Sequence, residues 1–500
     1  MESFIQALGY VAHPLNFLLI VSGTLFGMVA GALPGVSSSM AIILLLPFTY
    51  AMEPVSAIVT LVAVYIGGAA GGSISAILLK IPGTPEALAT TFDGHPMAQK
   101  GLAGRALGIA ISASSFGGIF SAFAMVIAAP MLAVFALKFQ SAEYLMLAIL
   151  GLSCITSIGG KDQLKAMLAA VLGLLFSTIG IDMINGSNRF VFNQPFLMSG
   201  INYVPVMIGV FAVAEVYKTV GEEYGKKKAD ITATGRVSME IVKFGEMLKM
   251  WRTLVKSSII GTIVGIIPAA GGSIAALIAY GEAARSSKTP EAFGKGAPEG
   301  VAAPESANNA AVGGSMVPTM VLGIPGSPTA AVIMAAFMIH GLRPGPLLLK
   351  DQPILLYSIF IGIILASVLL FVGGRFVTKE FARVLKLPYP LLGTLIIALG
   401  VVGAYSLQNS FYDVLIMFAF SFIGFLFNHF KYSSSAFILG LILGGIAENS
   451  LRKQLIIGDG SWAGFVTRPV SLIILAMALL GFFYPAIMKR MSKAKPHTAH

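Results

Sequence analysis

The sequence predicts an all-α, polytopic membrane protein of about 11–14 helical spans, broken or re-entrant helices included, arranged as two inverted-topology repeats. Three observations predict it. Of 500 residues, 56% are hydrophobic and only 11% charged, whereas a soluble domain carries roughly 25% charged residues. Long apolar runs recur along the whole chain, continuous rather than alternating, which argues against a transmembrane barrel. A set of Gly/Pro/Ser motifs also occurs twice in the same order. With a mean hydropathy of +0.86, such a chain has the lipid bilayer as its solvent.

Apolar runs cover 15–33, 36–50, 55–79, 106–137, 145–158, 166–180 and 201–217. After a polar interval they resume over 257–280, 309–340, 354–374, 390–405, 411–429, 433–447 and 469–487. Some are too short to cross a bilayer, and 106–137 and 309–340 are long enough to bend or cross twice. The 56 Gly and 25 Pro imply close helix packing and breaks sheltered inside the bundle. Gly23, Gly27 and Gly31 share one helix face and read as a packing stripe.

The interval 218–256 holds nine Lys or Arg against five acids, including Lys226-Lys227-Lys228. The positive-inside rule makes it cytoplasmic. Its part from Ser238 to Trp251 reads as a short interfacial helix. The tail with Lys489, Arg490, Lys493 and Lys495 belongs on that side, as does the cluster Arg375, Lys379, Arg383 and Lys386. The stretch Tyr405–Tyr412 carries no Lys or Arg and falls outside, and the first 79 residues carry none either, which places the N-terminus outside. The expected division is a first repeat half 1–217, a linker 218–256, a second half 257–487 and a tail 488–500. Met1–His13 lacks a basic signal-peptide start, so the first run reads as a retained span. A net charge of +11 is explained by those loops, and no basic soluble face points to nucleic acid. Cys154 is the single cysteine, and the six histidines form no paired motif, so neither a disulfide nor a zinc site is expected.

The repeat runs as follows. Gly31-x-x-Pro34 with Ser39-x-Ala41 recurs as Gly265-x-x-Pro268 with Ser273-x-Ala275, 234 positions later. Gly71-Gly72-Ser73 recurs as Gly313-Gly314-Ser315, and Ile81-Pro82-Gly83-Thr84-Pro85 as Ile324-Pro325-Gly326-Ser327-Pro328. The copies start on opposite sides of the membrane, the plan of many secondary transporters, which hold substrate between the copies near the midplane.

The helix should break at Pro34-Gly35 and restart after Ser37-Ser38-Ser39, leaving free N–H groups and a positive dipole end facing inward. Pro268 followed by Gly271-Gly272-Ser273 repeats the logic. Two such half-helix starts and their hydroxyls can hold carboxylates without a buried arginine. The plainer alternative is a proline kink with serines bonded back to the helix. With Gly72, Ser73, Gly314 and Ser315 nearby, the segments Pro82–Pro85 and Pro325–Pro328 read as non-helical tips at membrane depth, or as ordinary interfacial turns. Glu305, Ser306, Asn308 and Asn309 offer hard oxygens for a cation, or an acid for a proton; a capped helix start with Pro304 in its first turn fits the same residues. Asp93 is expected in a cytoplasmic loop, and Glu143, Glu215, Asp413 and Glu448 at the interface. Nucleotide-binding, serine-hydrolase and zinc-protease motifs are absent, so an ion gradient is the expected energy source. An intramembrane enzyme would need a nucleophile and base or paired acids that the spans do not supply.

Gly31-Ala-Leu-Pro-Gly35-Val, Lys80-Ile-Pro-Gly-Thr-Pro85, Phe92-Asp-Gly-His-Pro96, the block Gly296–Ala310, Val321–Pro328 and His340–Pro346 together resemble the large membrane subunit of tripartite tricarboxylate transporters. The resemblance covers essentially the whole chain. It implies a bacterial inner-membrane importer, a small partner subunit of about four spans, and a periplasmic substrate-binding protein. It implies citrate-like carboxylates as substrates and Na⁺ or H⁺ as the coupling ion, with no other cofactor. A self-sufficient ion-coupled exchanger is the alternative.

Overall fold

Proline opens helix after helix in this chain. Its missing N–H costs nothing in a first turn, and its fixed φ suits the start. Pro14, Pro54, Pro298 and Pro328 each begin a helix in this way. The computed structural model describes residues 2–158, 162–182, 184–223, 239–268, 270–384 and 389–493. The basic residues Lys226–Lys228, Lys386 and Lys495 lie outside them, as do the side chains of Cys154, Arg383, Lys489, Arg490 and Lys493.

The helices are α1 (Glu2–Ala12), α2 (Pro14–Ala32), α3 (Ser38–Thr49), α4 (Pro54–Leu79), α5 (Thr91–Gln99), α6 (Ala103–Ala136), α7 (Ser141–Ile158) and α8 (Gln163–Ser177). A two-stranded antiparallel hairpin follows, β1 (Gly180–Ile181) and β2 (Asn188–Arg189). Then come α9 (Tyr203–Met207), a π-helical turn over Ile208–Val213, α10 (Ala214–Glu223), α11 (Phe244–Lys249), α12 (Trp251–Ile266), α13 (Gly271–Ser286), α14 (Pro298–Leu322) and α15 (Pro328–Ile339). The chain ends in α16 (Leu348–Asp351), α17 (Pro353–Val384), α18 (Tyr389–Gln408), α19 (Phe411–Phe430), α20 (Ser434–Ile457), α21 (Ala463–Val466) and α22 (Pro469–Lys493). Among the described residues, eight helical segments are long and apolar enough to cross a membrane, and five shorter apolar helices accompany them. The protein is an all-α, multi-pass membrane protein.

The glycine stripe packs backbone on backbone. A Cβ at Gly27 would lie 2.3 Å from the Val64 carbonyl oxygen, and one at Gly31 2.2 Å from that of Gly68. So α2 and α4 touch along their main chains, the small-residue packing of membrane helices. The second copy does the same: Gly261 meets the Ala307 carbonyl at 2.2 Å and Gly265 that of Ala311 at 2.6 Å, joining α12 to α14. Gly71 lies on Met28 and Gly314 on Thr262, so contact pairs Gly71 with Gly314. The sequence match had paired Gly71 with Gly313; the folded register is one residue further on.

α4 and α14 are the buried axes of the molecule, their described side chains inaccessible almost throughout. The long helix after each copy crosses to the other: α6 packs along α14 and α17 along α4. The two halves therefore share one core.

Two expected elements differ. The run 106–137 is one helix, α6, with Pro130 inside it. The interfacial helix expected over 238–251 shrinks to α11, Phe244–Lys249. Ser238 lies outside the described residues, and residues 239–243 before α11 are not helical: Glu240 N–H bonds the Gly104 carbonyl at 2.9 Å. Side-chain-free Gly108 lets this backbone lie directly on α6, and Met239 and Val242 bury there.

Candidate functional site

Four breaks in helical geometry meet at one place. The first follows α2: Leu33 is extended and Gly35 takes φ +87°, a left-handed value that glycine tolerates. Ser37 then caps α3, accepting from Met40 N–H at 3.2 Å. The second follows α12, where Gly271 takes φ +66° at the start of α13. The third follows α4: Gly83 N–H bonds the Gly72 carbonyl at 3.2 Å, and a Cβ on Gly83 would meet the Gly31 carbonyl at 2.0 Å. The fourth follows α14: Gly326 lies on the Gly265 carbonyl, and Ser327 caps α15 by accepting from Ala330 N–H at 3.0 Å.

Between them lies a cavity of about 730 Å³. Its wall contains Gly35, Ser37, Ser39, Pro82, Gly83, Thr84 and Pro85 from the first copy. Gly271, Gly272, Ser273, Ser327 and Pro328 come from the second. Bonds cross between copies at its edge. Ser39 Oγ lies 2.8 Å from Thr329 Oγ1, and Tyr65 OH lies 2.9 Å from Ser327 Oγ. Helices α3, α13 and α15 all begin at this wall, which brings three positive dipole ends to one space.

Other expected site residues stand behind the wall. Ser38 faces Gly68, with its hydroxyl buried and unpaired. Ser73 and Ser315 bond back to the carbonyls of Ala70 and Val312 within their own helices. Gly72 packs on Thr84, and Gly314 on Thr262. Pro34 and Pro325 shape the breaks without lining the space. These residues support the tips rather than line the cavity.

Glu305, Ser306, Asn308 and Asn309 are also off the cavity wall. They are fully buried in α14, and Pro304 lies inside that helix, not in its first turn. Thr90 and Ser114 donate to the two Glu305 oxygens at 2.5 and 2.8 Å. Ser306 Oγ pairs with Ser258 Oγ at 2.8 Å, and Asn308 Nδ2 donates to the Ala69 carbonyl at 3.0 Å. Asn309 is different: both ends of its amide are buried without a partner among the described residues. An orphaned amide at 0% exposure is a costly feature for a pure scaffold position.

Asp93, expected in a loop, and Glu143 and Asp413, expected at the interface, are buried as well. Asp93 sits in α5, where its carboxylate accepts from Gly296 N–H at 2.7 Å, Ala297 N–H at 2.8 Å and Tyr280 OH at 2.9 Å. It ties α5 to the start of α14. Glu143 is inaccessible and pairs with Arg468 at 2.5 Å, and Asp413 is 5% exposed.

Sequence reasoning missed several wall residues: Glu86, Thr329, Glu215, Lys218, Asn428, Ser434 and Ser435. Glu86 had a signal, as the lone acid between residues 54 and 92. One of its oxygens is buried and unpaired. Glu215 and Lys218 pair at 2.8 Å across one turn of α10.

Residues 17–439 match the tripartite tricarboxylate transporter TctA family. The chain belongs to that family. Over 466 residues, 93% of this chain and 92% of the other, it is 36% identical to an uncharacterised 52.8 kDa protein in the TAR-I ttuC' 3' region of Agrobacterium vitis. It is 34% identical over 220 residues to a protein in the TAR-II ttuC' 3' region of the same organism, which covers 44% of this chain and 91% of that one. No solved structure matches. This TctA-family chain is thus a membrane transporter subunit.

Proposed function

We propose that the chain is the permease of a binding-protein-dependent secondary importer, moving small carboxylates such as citrate by Na⁺ or H⁺ symport. It works in a bacterial inner membrane with its N-terminus periplasmic and its C-terminus cytoplasmic, beside a small membrane subunit and a periplasmic binding protein. The two copies act as inverted repeats, each able to take the other's conformation. The observation that carries the reading is the single cavity into which four breaks deliver Ser37, Ser39, Thr84, Ser273 and Ser327. Hydroxyls and helix starts there suit carboxylate oxygens.

The same wall supports coupled transport. Two like charges about 4 Å apart repel by about 4 kcal/mol at an effective dielectric near 20. A substrate carboxylate arriving beside ionised Glu86 meets that repulsion, and a proton or Na⁺ on Glu86 removes it. Glu305 and Asn309, behind the wall, form a second place for the cation.

Uptake by the reconstituted complex with its binding protein, under separately imposed Na⁺ and pH gradients, identifies the coupling ion. Ser39→Leu and Ser273→Leu each abolish uptake in this reading; wild-type uptake by both would sink it. Without the binding protein uptake collapses, whereas a self-sufficient exchanger would keep it.

A further inference from the structure

A second cavity, of about 670 Å³, lies at the other end of the helices that line the first. Three helical segments connect the two. On α15, Thr329 faces the first cavity and Met334 and Met338 the second; on α20, Ser435 faces the first and Leu441 the second. The segment from α9 to α10 runs the opposite way, with Tyr203 at the second cavity and Val210 at the first. Between those marks every residue is buried: Ala330–Ile333, Ala436–Gly440 and Val204–Gly209. Five to seven residues of helix span only about 8–11 Å. On each of the three segments, then, a short stretch of buried helix separates the two spaces.

The second cavity contains an unspent cation. Arg343 is exposed on its wall and makes no hydrogen bond or ion pair to any described residue. Its loop is fixed on both sides, by Leu342 N–H to the Phe337 carbonyl at 2.8 Å and by Gly345 N–H to the Met320 carbonyl at 2.8 Å. Asn449 and Ser450 on the same wall also spend no side-chain hydrogen bond on any described residue, although Ser450 is only 9% exposed. The acids near them are already taken: Glu448 pairs with Arg189, and Asp182 with Arg452. A guanidinium presents five donors in a fork that matches a carboxylate.

We propose that this second cavity is an anion-binding vestibule in which Arg343, with Asn449 and Ser450, holds a carboxylate at the opposite mouth of the transport path. The geometry stands by itself; the choice of a carboxylate ligand rests on the proposed function. The vestibule raises local substrate concentration, and those buried stretches must part before the ligand reaches Ser39 and Ser273.

The test uses the full chain reconstituted with its small subunit, and citrate as the probe. Phenylglyoxal modification of Arg343, followed by mass spectrometry of its peptide, slows severalfold in citrate and much less in chloride. Arg343→Gln raises the KM for citrate uptake about tenfold while leaving the maximal rate, as the loss of a charge-assisted contact predicts. Arg343→Lys restores part of it and controls for folding. The proposal is overturned if citrate gives no protection, or if Arg343→Gln keeps the wild-type KM. It is also overturned if that variant changes only the half-saturating concentration of binding protein, which would make Arg343 a docking contact. The two readings fail separately: protection at Arg343 alongside normal uptake by the Ser39 and Ser273 variants would remove the transport cavity and leave the vestibule.

Discussion

The two copies share a backbone and differ in chemistry. Gly31 and Gly265 make the same carbonyl contact 234 positions apart, and Gly83 and Gly326 the same tip contact 243 positions apart. At that second spacing Glu305, Asn308 and Asn309 of α14 stand where α4 has Val62, Tyr65 and Ile66, and Thr329 stands where the first copy has Glu86. At those positions the first axis carries two aliphatic side chains and Tyr65, whose hydroxyl bonds Ser327, so the scaffold does not require the acid and the two amides. The polar block belongs to one copy and Glu86 to the other, so the frame differs in its polar groups while keeping its symmetric breaks.

The largest expected effect breaks the shared frame. Gly31→Ala drives a methyl to 2.2 Å from the Gly68 backbone, a contact with no flexible side chain to yield. Gly265→Ala meets its nearest backbone atom at 2.6 Å and displaces less. Overpacking of this kind costs roughly 1–3 kcal/mol, so both variants lose stability, and Gly31→Ala loses more. Unfolding midpoints in detergent, compared across the pair, check the order. Equal midpoints would mean that the copies do not bear load alike.

Exchanging residues between copies sharpens the comparison. Asn309→Ile gives α14 the residue of α4 and removes an orphaned buried amide, a group worth about 1–3 kcal/mol when unsatisfied. The variant should unfold later and lose Na⁺ dependence of uptake. A later midpoint with unchanged ion dependence would leave Asn309 as a scaffold defect only. Glu86→Thr gives the first tip the residue of the second. It flattens the dependence of uptake on the coupling ion, measured as the ratio of rates with and without the imposed gradient, while folding stays intact.

Much of this was legible in the residues. Pro34-Gly35, Gly271 and the two tip motifs mark where helical hydrogen bonding must stop, and the fold breaks there. Which hydroxyl then faces the cavity was not legible, because successive helical residues point about 100° apart. Ser37 and Ser39 line it while Ser38 turns onto Gly68. The burial of Asp93 was hidden too, since its partners at Gly296, Ala297 and Tyr280 lie some 200 positions away in the other copy. Arg343 sat inside a motif that carried the family resemblance, yet only the folded chain shows it unpaired against a cavity.

The smallest effect belongs to a region away from the paired helix breaks, the hairpin after α8. The Arg452 guanidinium beside Asp182, helped by the N–H groups of Ile184 and Asn185, holds that carboxyl well below its ordinary value near 3.8. A depressed carboxyl adds stability above its unfolded value and loses it only as pH falls through the lower folded value. The hairpin clamp is therefore constant from pH 5 to 8 and weakens only in stronger acid. Asp182→Asn should lower the unfolding midpoint slightly at pH 7, by an amount that shrinks toward pH 2. It should leave the pH profile of uptake between 5 and 8 as it was. A profile that moved with Asp182→Asn would shift the proton-sensing group from the cavity acids to the hairpin, and the division of labour between the two copies would have to be redrawn.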